Sequence, residues 1–320
     1  MNLSIICVNW NSVEYLRECI ASIYENTQGI RFEIIVVDNA SPQGGVEGLR
    51  EEFPEVKILS SSRNIGFAAA NNMGFKNSAG EYVLFLNPDT RLMGPTINIL
   101  MESIQKLPNA GIVGCKMLNT DLSVQITSIQ KFPTILNQMI TSEHLQLRWP
   151  SCPIWNIGPL FSEQTQPIPV EVIPGACMLL RRSVFEQVGM FSEDYFMYAE
   201  DLDLNYKLKR AGYVNYYVGA ATIIHHGGKS SSQQAVNQWA TMMKYRAMTR
   251  YYRKTRGRFY EVMYRTAMGC VAIGRLVLLA LLSLFVNPLR NQQSLKRSSE
   301  KWKVVLKWAI GRQSLVLGDR

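Results

Sequence analysis

The stretch Tyr82-Val83-Leu84-Phe85-Leu86-Asn87-Pro88-Asp89 decides how the fold of this 320-residue chain is interpreted. Its first five residues are apolar or aromatic without alternation, a pattern typical of a strand that is covered on both faces in a parallel sheet. The pair Asn87-Pro88 ends this strand, because proline has no amide hydrogen to continue the ladder. Asp89 is therefore predicted at the carboxyl end of a central strand, where open α/β sheets bind ligands.

The carboxylate of Asp89 has two interpretations. With the amide of Asn87 two residues before it, it is a good site for a hard cation such as Mg²⁺ or Mn²⁺. Alternatively, Asp89 belongs to a turn and caps a helix that begins near Pro95. The stretch alone favours neither interpretation, so the rest of the chain has to decide.

Strand-like and helix-like segments alternate on both sides of this stretch. Strands rich in β-branched residues are predicted at 3–8, 32–37, 56–59, 112–116 and 170–173. Helices are predicted at 12–26, 67–75, 95–106 and 200–211. This alternation indicates an α/β fold with a doubly wound, mostly parallel, Rossmann-like sheet. The proline-rich segment 117–170 predicts a loop-rich insertion of the kind that covers a ligand or shapes a second substrate's pocket.

The first two strand ends limit the kind of nucleotide that could bind. The turn Asn9-Trp10-Asn11-Ser12 has no Gly-x-Gly-x-x-Gly pattern, which argues against a dinucleotide-dependent hydride-transfer enzyme. A nucleotide could still bind if Asp38, at the end of the second strand, accepts a hydrogen bond from a pyrimidine ring N–H. The alternative is that Asp38 forms an Asx turn ahead of Ser41-Pro42.

The predicted helix at 200–211 begins with Glu200-Asp201, directly after an aromatic segment. Acidic residues at a helix start complement its dipole, and this would explain either carboxylate alone. The preceding aromatic residues favour a carboxylate in a pocket wall, where it could take a proton from a hydroxyl nucleophile.

Two of the three histidines, His225 and His226, end a β-branched segment and are followed by Gly227-Gly228. This arrangement is typical of a ligand site that needs close backbone approach. A histidine nitrogen beside Asp89 would suit Mg²⁺ or Mn²⁺, with phosphate oxygens completing the shell. The alternative is a polar turn with a helix N-cap at Ser231 or Ser232.

The charge of the chain is divided unevenly. Residues 1–243 hold 17 Lys and Arg against 22 Asp and Glu, a balance of −5, whereas residues 244–320 hold 17 against 3, a balance of +14. The acidic main part excludes a nucleic-acid-binding protein by charge, and the basic part predicts an anionic partner. Six scattered cysteines predict reduced thiols, and the first segment predicts a strand rather than a signal peptide.

An apolar segment, residues 267–286, lies within the basic part. It could just span a bilayer, which takes about 20 residues. Arg275 near its middle would cost roughly 2.5–3.5 kcal/mol in a span. An in-plane or re-entrant helix pair held on anionic lipid is therefore favoured. The alternative is a helix buried against the main domain or a partner subunit.

In combination, these motifs resemble the inverting, GT-A-type glycosyltransferases of family 2, and most of all their bacterial rhamnosyltransferase-like branch. The resemblance covers residues 3–231 and rests on the following stretches: Val8-Asn9-Trp10-Asn11, Val37-Asp38-Asn39-Ala40-Ser41, Asn64-Ile65-Gly66-Phe67-Ala68 with Asn71 and Gly74, Asn87-Pro88-Asp89, Pro174-Gly175-Ala176, Tyr198-Ala199-Glu200-Asp201-Leu202-Asp203 and His225-His226-Gly227-Gly228.

The resemblance implies a GT-A domain at residues 1–235 and a helical, membrane-associating region at 236–320. The implied activity moves one sugar, for example rhamnose, from a UDP- or dTDP-linked donor to a hydroxyl of a lipid-linked glycan or cell-surface polysaccharide acceptor. It also implies a cytoplasmic protein, peripheral on the inner face of the cell membrane, and is compatible with a homo-oligomer. The alternative function is a non-catalytic nucleotide-sugar-binding module that anchors a polysaccharide-assembly complex.

The resemblance also implies residue roles. Donor-binding residues would be Val8, Asn9, Asn11, Asp38, Asn64, Gly66, Phe67, Asn71 and Asn87. Asp38 would recognise the uracil or thymine, and Asp89 with His225 would hold the divalent metal, Mg²⁺ or Mn²⁺. His225 is favoured over His226 because its distance to Gly228 and Ser230 is closer to the family pattern. Asp201, next to Glu200, would be the catalytic base. Asn87 stands where the family usually has a first acid, which leaves fewer carboxylates for the metal.

Overall fold

The computed structural model of the protein describes residues 1–227, 238–285 and 288–312. These residues fall into two units, each described by itself below. Unit 1 comprises Met1–Phe132, Thr141–Phe196 and Glu200–Ser230, and unit 2 comprises Pro133–Ile140, Met197–Ala199 and Ser231–Arg320. The N-cap considered at Ser231 or Ser232 lies outside the described residues.

Unit 1 is built on one sheet, which has nine strands within the described part of the chain. The strands are β1 Leu3–Asn9, β2 Phe32–Asp38, β3 Lys57–Ser60, β4 Tyr82–Leu86, β5 Thr90–Leu92, β6 Ala110–Leu118, β7 Ile168–Val170, β8 Cys177–Arg181 and β9 Val214–His225. Their order in the sheet is β3-β2-β1-β4-β8-β6-β9-β5, and β7 pairs with β9 beside this path.

Helices connect these strands. In chain order they are α1 Val13–Asn26, α2 Glu47–Glu52, α3 Phe67–Lys76, α4 Thr96–Gln105, α5 Ile135–Ile140 (which belongs to unit 2), α6 Glu143–Arg148, α7 Arg182–Gln187 and α8 Glu200–Arg210. The helix α4 has Pro95 at its N-cap and no side-chain cap, so the alternative role of Asp89 as its cap is wrong.

The first half of the sheet is parallel, as predicted. β1 lies between β2 and β4, and β2 pairs with β3, all in the same direction. All five residues of β4 are buried, with Leu84 and Leu86 in the hydrophobic cluster on one face and Val83 and Phe85 in the cluster on the other. The unbroken apolar run is therefore explained by coverage of both faces, and the predicted α/β architecture is confirmed.

The second half of the sheet is mixed. β8 lies antiparallel between β4 and β6, while the long strand β9 runs parallel to β6 and antiparallel to β5 and β7. The strand predicted at 170–173 is observed as β7 at Ile168–Val170, which begins earlier and is shorter. Val172 forms only an isolated bridge, with Gln130. An apolar run predicts a buried strand but not its direction, which depends on distant partners.

Unit 2 consists mainly of two long helices, α9 at Gln238–Phe285 and α10 at Pro288–Ala309. Helix α9 is broken at Gly257, whose φ of 85° and ψ of 173° are non-helical. Among the described residues, Gln238–Ser283 includes an 18-residue stretch of mean hydropathy 1.9 with 17% of it buried, long and apolar enough to cross a membrane. A helical C-terminal region is thus confirmed, whereas residue 286 of the predicted apolar segment is not described.

Gly66 shows how closely the backbone packs at the start of α3. Its φ is 84°, and a Cβ atom there would lie 2.4 Å from the carbonyl oxygen of Phe196. That oxygen accepts the N–H of Phe67 at 2.9 Å. A side chain at position 66 would therefore displace a backbone hydrogen bond as well as strain φ.

We expect Gly66→Ala to lower the free energy of unfolding by about 3 kcal/mol, from left-handed strain and overpacking together. The matched control is Gly189→Ala, because Gly189 has a similar φ of 80° with nothing within 4 Å of its Cβ position. That variant should lose only about 1 kcal/mol, the cost of the backbone angle. Chemical denaturation of both variants measures the difference, and equal losses would contradict the steric explanation.

Candidate functional site

Strand register brings the predicted residues to one edge of the sheet. Asn9 and Asp38 are opposite each other at the ends of β1 and β2. Thr90, which follows Asp89, is opposite His225 at the end of β9. Because parallel neighbours end at the same edge, these polar side chains collect where α/β sheets bind ligands.

Asp38 is oriented by its neighbours. Its Oδ1 accepts hydrogen bonds from Nδ2 of Asn9 at 2.8 Å and from Oγ of Ser41 at 2.6 Å, and its Oδ2 accepts the N–H of Ser41 at 3.3 Å. The Asp38 carboxylate thus binds Ser41 three residues on, rather than the N–H two residues on that defines the Asx turn considered from the sequence, and it stays half-buried. Asn9 is fully buried and acts on the site through Asp38, and the N–H of Asn11 donates to Oγ of Ser41 at 3.0 Å.

The segment from Asn64 to Phe67 is held by asparagine side chains. Oδ1 of Asn64 accepts the N–H of Gly66 at 3.0 Å and Nδ2 of Asn39 at 2.9 Å, while Oδ1 of Asn39 accepts the N–H of Ile65 at 2.9 Å. Asn71 is buried and donates to the carbonyl of Phe67 at 3.0 Å. Asn39 was not among the predicted site residues, although it follows Asp38 in the motif.

The ring of His225, and not that of His226, lies beside the Asp89 carboxylate, while the backbone N–H of His226 donates to the Asp89 carbonyl at 2.9 Å. Nε2 of His225 is 3.4 Å from Oδ1 of Asp89 and 3.3 Å from Nδ2 of Asn87. Nε2 of His226 instead lies 3.6 Å from a carboxylate oxygen of Glu18. Gly228 and Ser230, which supported the preference for His225, lie outside the described residues. The pairing of β5 with β9 places His225 opposite Thr90, and its role in holding a metal stays a prediction.

Gln125 sets the orientation of the His225 ring. Its Oε1 lies 2.8 Å from Nδ1 of His225, and its Nε2 donates to Oδ1 of Asn119 at 3.0 Å and to the carbonyl of His225 at 3.4 Å. A backbone carbonyl can only accept, so the amide oxygen must face Nδ1, which carries the hydrogen. Gln125 was missed because it lies in the unassigned segment 117–170, where no local pattern marks it.

The Asp89 carboxylate and Nε2 of His225 therefore face each other, with the amide of Asn87 beside the same nitrogen. Asp89 is only 4% exposed, so water does not readily separate them. Within residues 1–227, 238–285 and 288–312, no three His, Cys, Asp or Glu side chains group around one point. The pair fits a cation that takes its other ligands from phosphate oxygens and water, as Mg²⁺ usually does.

Asp201 is held at the start of α8 by backbone donors. Its Oδ2 accepts the N–H of Gly175 at 3.1 Å, and its Oδ1 accepts the N–H of Leu202 at 2.8 Å. Ala176, which follows Gly175, accepts the N–H of Asn87 at 2.9 Å through its carbonyl. The motif Pro174-Gly175-Ala176 thus connects Asp201 to the strand end that carries Asp89.

Glu200 differs from Asp201 in its surroundings. It is buried, and its Oε2 has no hydrogen-bond partner among the described residues. Burial, with a further contribution from the Asp201 carboxylate, raises the pKa of Glu200 to about 8. Glu200 is therefore mostly protonated at neutral pH, so the pair carries close to one negative charge when Asp201 is ionised.

Relatives of known function share most of the chain. An "N-acetylglucosaminyl-diphospho-decaprenol L-rhamnosyltransferase" of Mycobacterium tuberculosis is 29% identical over 255 residues, which are 76% of this chain and 81% of the relative. The "Rhamnosyltransferase WbbL" of Escherichia coli is 26% identical over 77% of this chain and 92% of its own length.

The fold has solved counterparts at lower identity. The mannosyltransferase PcManGT from Pyrobaculum calidifontis, in complex with GDP-Man and Mn²⁺, superposes with a TM-score of 0.55 at 15% identity, over 96% of this chain and 87% of that one. This likeness shows that the fold is of the GT-A type, as the sequence motifs implied.

The family signature itself extends across the chain. Residues 4–189 match "Glycosyl transferase family 2", and residues 123–309 match "Glycosyl transferase family group 2". The first match spans more than half of the chain and includes Asp38, Asp89 and Gly175. The chain therefore belongs to glycosyl transferase family 2, on its rhamnosyltransferase-like branch, and is a glycosyltransferase.

Proposed function

We propose that the protein moves one sugar from a nucleoside-diphosphate sugar to a hydroxyl of a lipid-linked glycan, with inversion at the anomeric carbon. The observation that carries this proposal is the convergence of Asp89 and His225 at a strand end to which the backbone of Gly175 and Ala176 ties Asp201. Asp89 and His225 suit the leaving diphosphate, and Asp201 suits the attacking hydroxyl.

The relatives support the substrate classes. The mycobacterial relative is named for a diphospho-decaprenol acceptor and for L-rhamnose, and the Escherichia coli relative for rhamnose. A lipid diphosphate carrying an amino sugar is therefore the acceptor class that we propose, with a polysaccharide acceptor as the alternative. Rhamnose carried by dTDP or UDP is the donor that we propose first.

Asp89 and His225 are the residues that would hold a divalent cation, Mg²⁺ or Mn²⁺. The structural counterpart with GDP-Man contains Mn²⁺, which supports this assignment. When bound, the cation neutralises negative charge that develops on the leaving diphosphate. Gln125 accepts a hydrogen bond from Nδ1 of His225, which orients the ring so that Nε2 faces Asp89.

On the donor side, Asp38 would accept a hydrogen bond from the ring N–H of a pyrimidine base. Asn9 and Ser41 fix its carboxylate, so this recognition needs no rearrangement. The backbone at Gly66 and Phe67, which Asn64 and Asn71 hold in place, would line the donor. Val8, Asn11 and Asn87 lie at the same strand ends, and their direct contact with the donor stays a prediction.

Asp201 would act as the base. Two backbone N–H groups stabilise its carboxylate, and the protonated Glu200 beside it adds little negative charge. As the acceptor oxygen attacks the anomeric carbon, its proton passes to Asp201 while the bond to the diphosphate breaks on the opposite side. A single displacement of this kind inverts the anomeric centre.

We take residues 1–235 as the catalytic domain and 236–320 as the region that holds the protein on the inner face of the cell membrane. The +14 charge of residues 244–320 supports an anionic membrane surface as its partner. An in-plane helix suits Arg275 better than a span, because it leaves this charge at the interface.

The function is tested by Asp201→Asn, which keeps the size of the side chain and an oxygen for one of its two backbone N–H donors but removes the base. We expect transfer to fall by about 10²-fold or more, while donor affinity changes little. Product formation with dTDP- and UDP-sugars, a lipid-linked acceptor and Mn²⁺ gives the rate, and calorimetric titration gives the donor affinity. Unchanged turnover would contradict the base assignment, and donor binding without product in the unmodified protein would favour the non-catalytic alternative.

The raised pKa of Glu200 predicts a pH dependence of stability. Between its ordinary pKa of 4.5 and about 8, the folded protein keeps a proton that the unfolded chain has lost. The contribution of Glu200 to stability therefore falls as pH rises through this window. Glu200→Gln removes the titration, so its melting temperature relative to the unmodified protein should rise from about pH 5 to about pH 8 and then level off.

The matched control for this measurement is Glu51→Gln, which alters an exposed carboxylate on α2. Its melting temperature should follow that of the unmodified protein at every pH. If the difference in melting temperature between Glu200→Gln and the unmodified protein does not vary with pH, Glu200 is ionised in the folded state.

A further inference from the structure

A completely buried asparagine, Asn205, lies about one helical turn after Asp201 on α8. Its Nδ2 donates to the carbonyls of Ile173 at 2.8 Å and Asp201 at 2.7 Å. Its Oδ1 accepts the N–H of Ile173 at 2.9 Å and Nδ2 of Asn215 at 2.8 Å. These four hydrogen bonds are all that a side-chain amide can make. A buried amide that is fully satisfied has one orientation, so it fixes the backbone that it binds.

The first connection made by Asn205 runs to the segment that binds the Asp201 side chain. Asn205 binds both the N–H and the carbonyl of Ile173, two residues before Gly175. Pro174 lies between them, and its fixed φ leaves this short segment little freedom. The N–H of Gly175 donates to Oδ2 of Asp201 at 3.1 Å. Asn205 thus holds both the backbone of Asp201 and the segment that supplies a donor to its carboxylate.

The second connection runs to the strand that carries a candidate metal ligand. Asn215 is 4% exposed and lies at the start of β9, the strand that ends at His225. Its Oδ1 accepts the N–H of Ile112 in β6 at 3.0 Å, and its Nδ2 donates to the carbonyl of Glu171 at 3.0 Å as well as to Asn205. Because β6 and β9 are parallel neighbours, the pair of amides anchors α8 to the strands that position His225.

The proposed displacement needs a fixed separation between the base and the leaving group, because the attacking and leaving oxygens must lie on opposite sides of the anomeric carbon. Asp89 and His225 lie at strand ends, whereas Asp201 lies on a helix. The segment 173–176 joins the two: Asn205 binds its first residue, and the carbonyl of its last accepts the N–H of Asn87. A change in the position of this segment would therefore move the base relative to the diphosphate.

We propose that Asn205 is a positioning residue, which sets the place of the Asp201 carboxylate relative to the leaving diphosphate. This inference rests on the proposed function, because Asn205 has its effect through the base. Asn205 is too deeply buried to contact either substrate. If it only stabilised the fold, its loss would slow transfer whether or not the base is present. If it positions the base, its loss matters only while the base is there.

The test is a double-mutant cycle on the full-length protein, with Asn205→Ala and Asp201→Asn made alone and together. A radiolabelled donor makes the residual turnover of the slow variants measurable, and kcat is taken at saturating donor and acceptor. Calorimetric titration gives the donor affinity of each variant. Asn205→Ser takes the place of Asn205→Ala if the latter does not fold, because a serine hydroxyl can still donate to the carbonyl four residues before it.

The matched control is Asn72→Ala on α3, because Asn72 is also buried and binds the backbone in the same way. Its Oδ1 accepts the N–H of Phe191 at 3.2 Å, and its Nδ2 donates to the carbonyl of Phe191 and to Oε1 of Glu193, each at 2.9 Å. The melting temperature should fall by a similar amount, but these hydrogen bonds do not reach α8. Any effect of Asn72→Ala on kcat should therefore be the same with and without Asp201→Asn.

We expect Asn205→Ala to lower kcat by about tenfold or more when Asp201 is present, with donor affinity changed by less than about twofold. Combined with Asp201→Asn, the same substitution should change kcat by less than about twofold, because no base is left to misplace. An equal loss in both backgrounds would mean a general structural effect and would overturn the proposal. An unchanged kcat, or a parallel loss of donor affinity, would overturn it as well.

The four variants of the cycle also separate this inference from the proposed function. If Asp201→Asn alone leaves kcat unchanged, the base assignment is wrong, and the positioning role is wrong with it. If Asp201→Asn removes most turnover while Asn205→Ala slows both backgrounds equally, the positioning role is wrong and the proposed function holds.

Discussion

Oδ1 of Asp89 and Nε2 of His225 lie 3.4 Å apart in a nearly buried position, and the rest of unit 1 holds them there. The pairing of Thr90 with His225 sets their separation, and Gln125 fixes the histidine ring. A carboxylate oxygen and an imidazole nitrogen this close together are suited to hold a cation between them. A divalent cation with a diphosphate is the partner that the proposed function assigns to this pair.

The sequence predicted the parts of this site that depend on local pattern. The apolar run before Asn87 predicted a covered strand, and both faces of β4 are indeed buried. The position of Asp201 at a helix start was also predicted. The missing parts depend on contacts between distant segments: Gln125 reaches His225 across 100 residues, and Gly175 reaches Asp201 from the turn before β8. The antiparallel insertion of β8 depends likewise on partners that no local pattern reveals.

In unit 2, a break in the backbone of helix α9 at Gly257 sets the positions of the basic residues. A straight α9 would distribute its arginines along a solvated face, whereas the left-handed Gly257 gathers four of them around one open pocket. The sequence analysis predicted a basic, apolar, helical region and an anionic partner, but it contained no sign of this break. A glycine inside a helical pattern is compatible with either a continuous or a broken helix, and only the packing of Tyr252, Tyr264 and Trp308 decides between them.

The central claim, that Asp89 and His225 form the diphosphate–metal centre, is tested most directly by anomalous diffraction from crystals grown with Mn²⁺ and UDP or dTDP. The account predicts one strong manganese peak at about 2.0–2.3 Å from both a carboxylate oxygen of Asp89 and Nε2 of His225, with phosphate oxygens completing the shell. A manganese peak bound elsewhere, with Nε2 of His225 still beside the amide of Asn87 and the nucleotide in place, would contradict it.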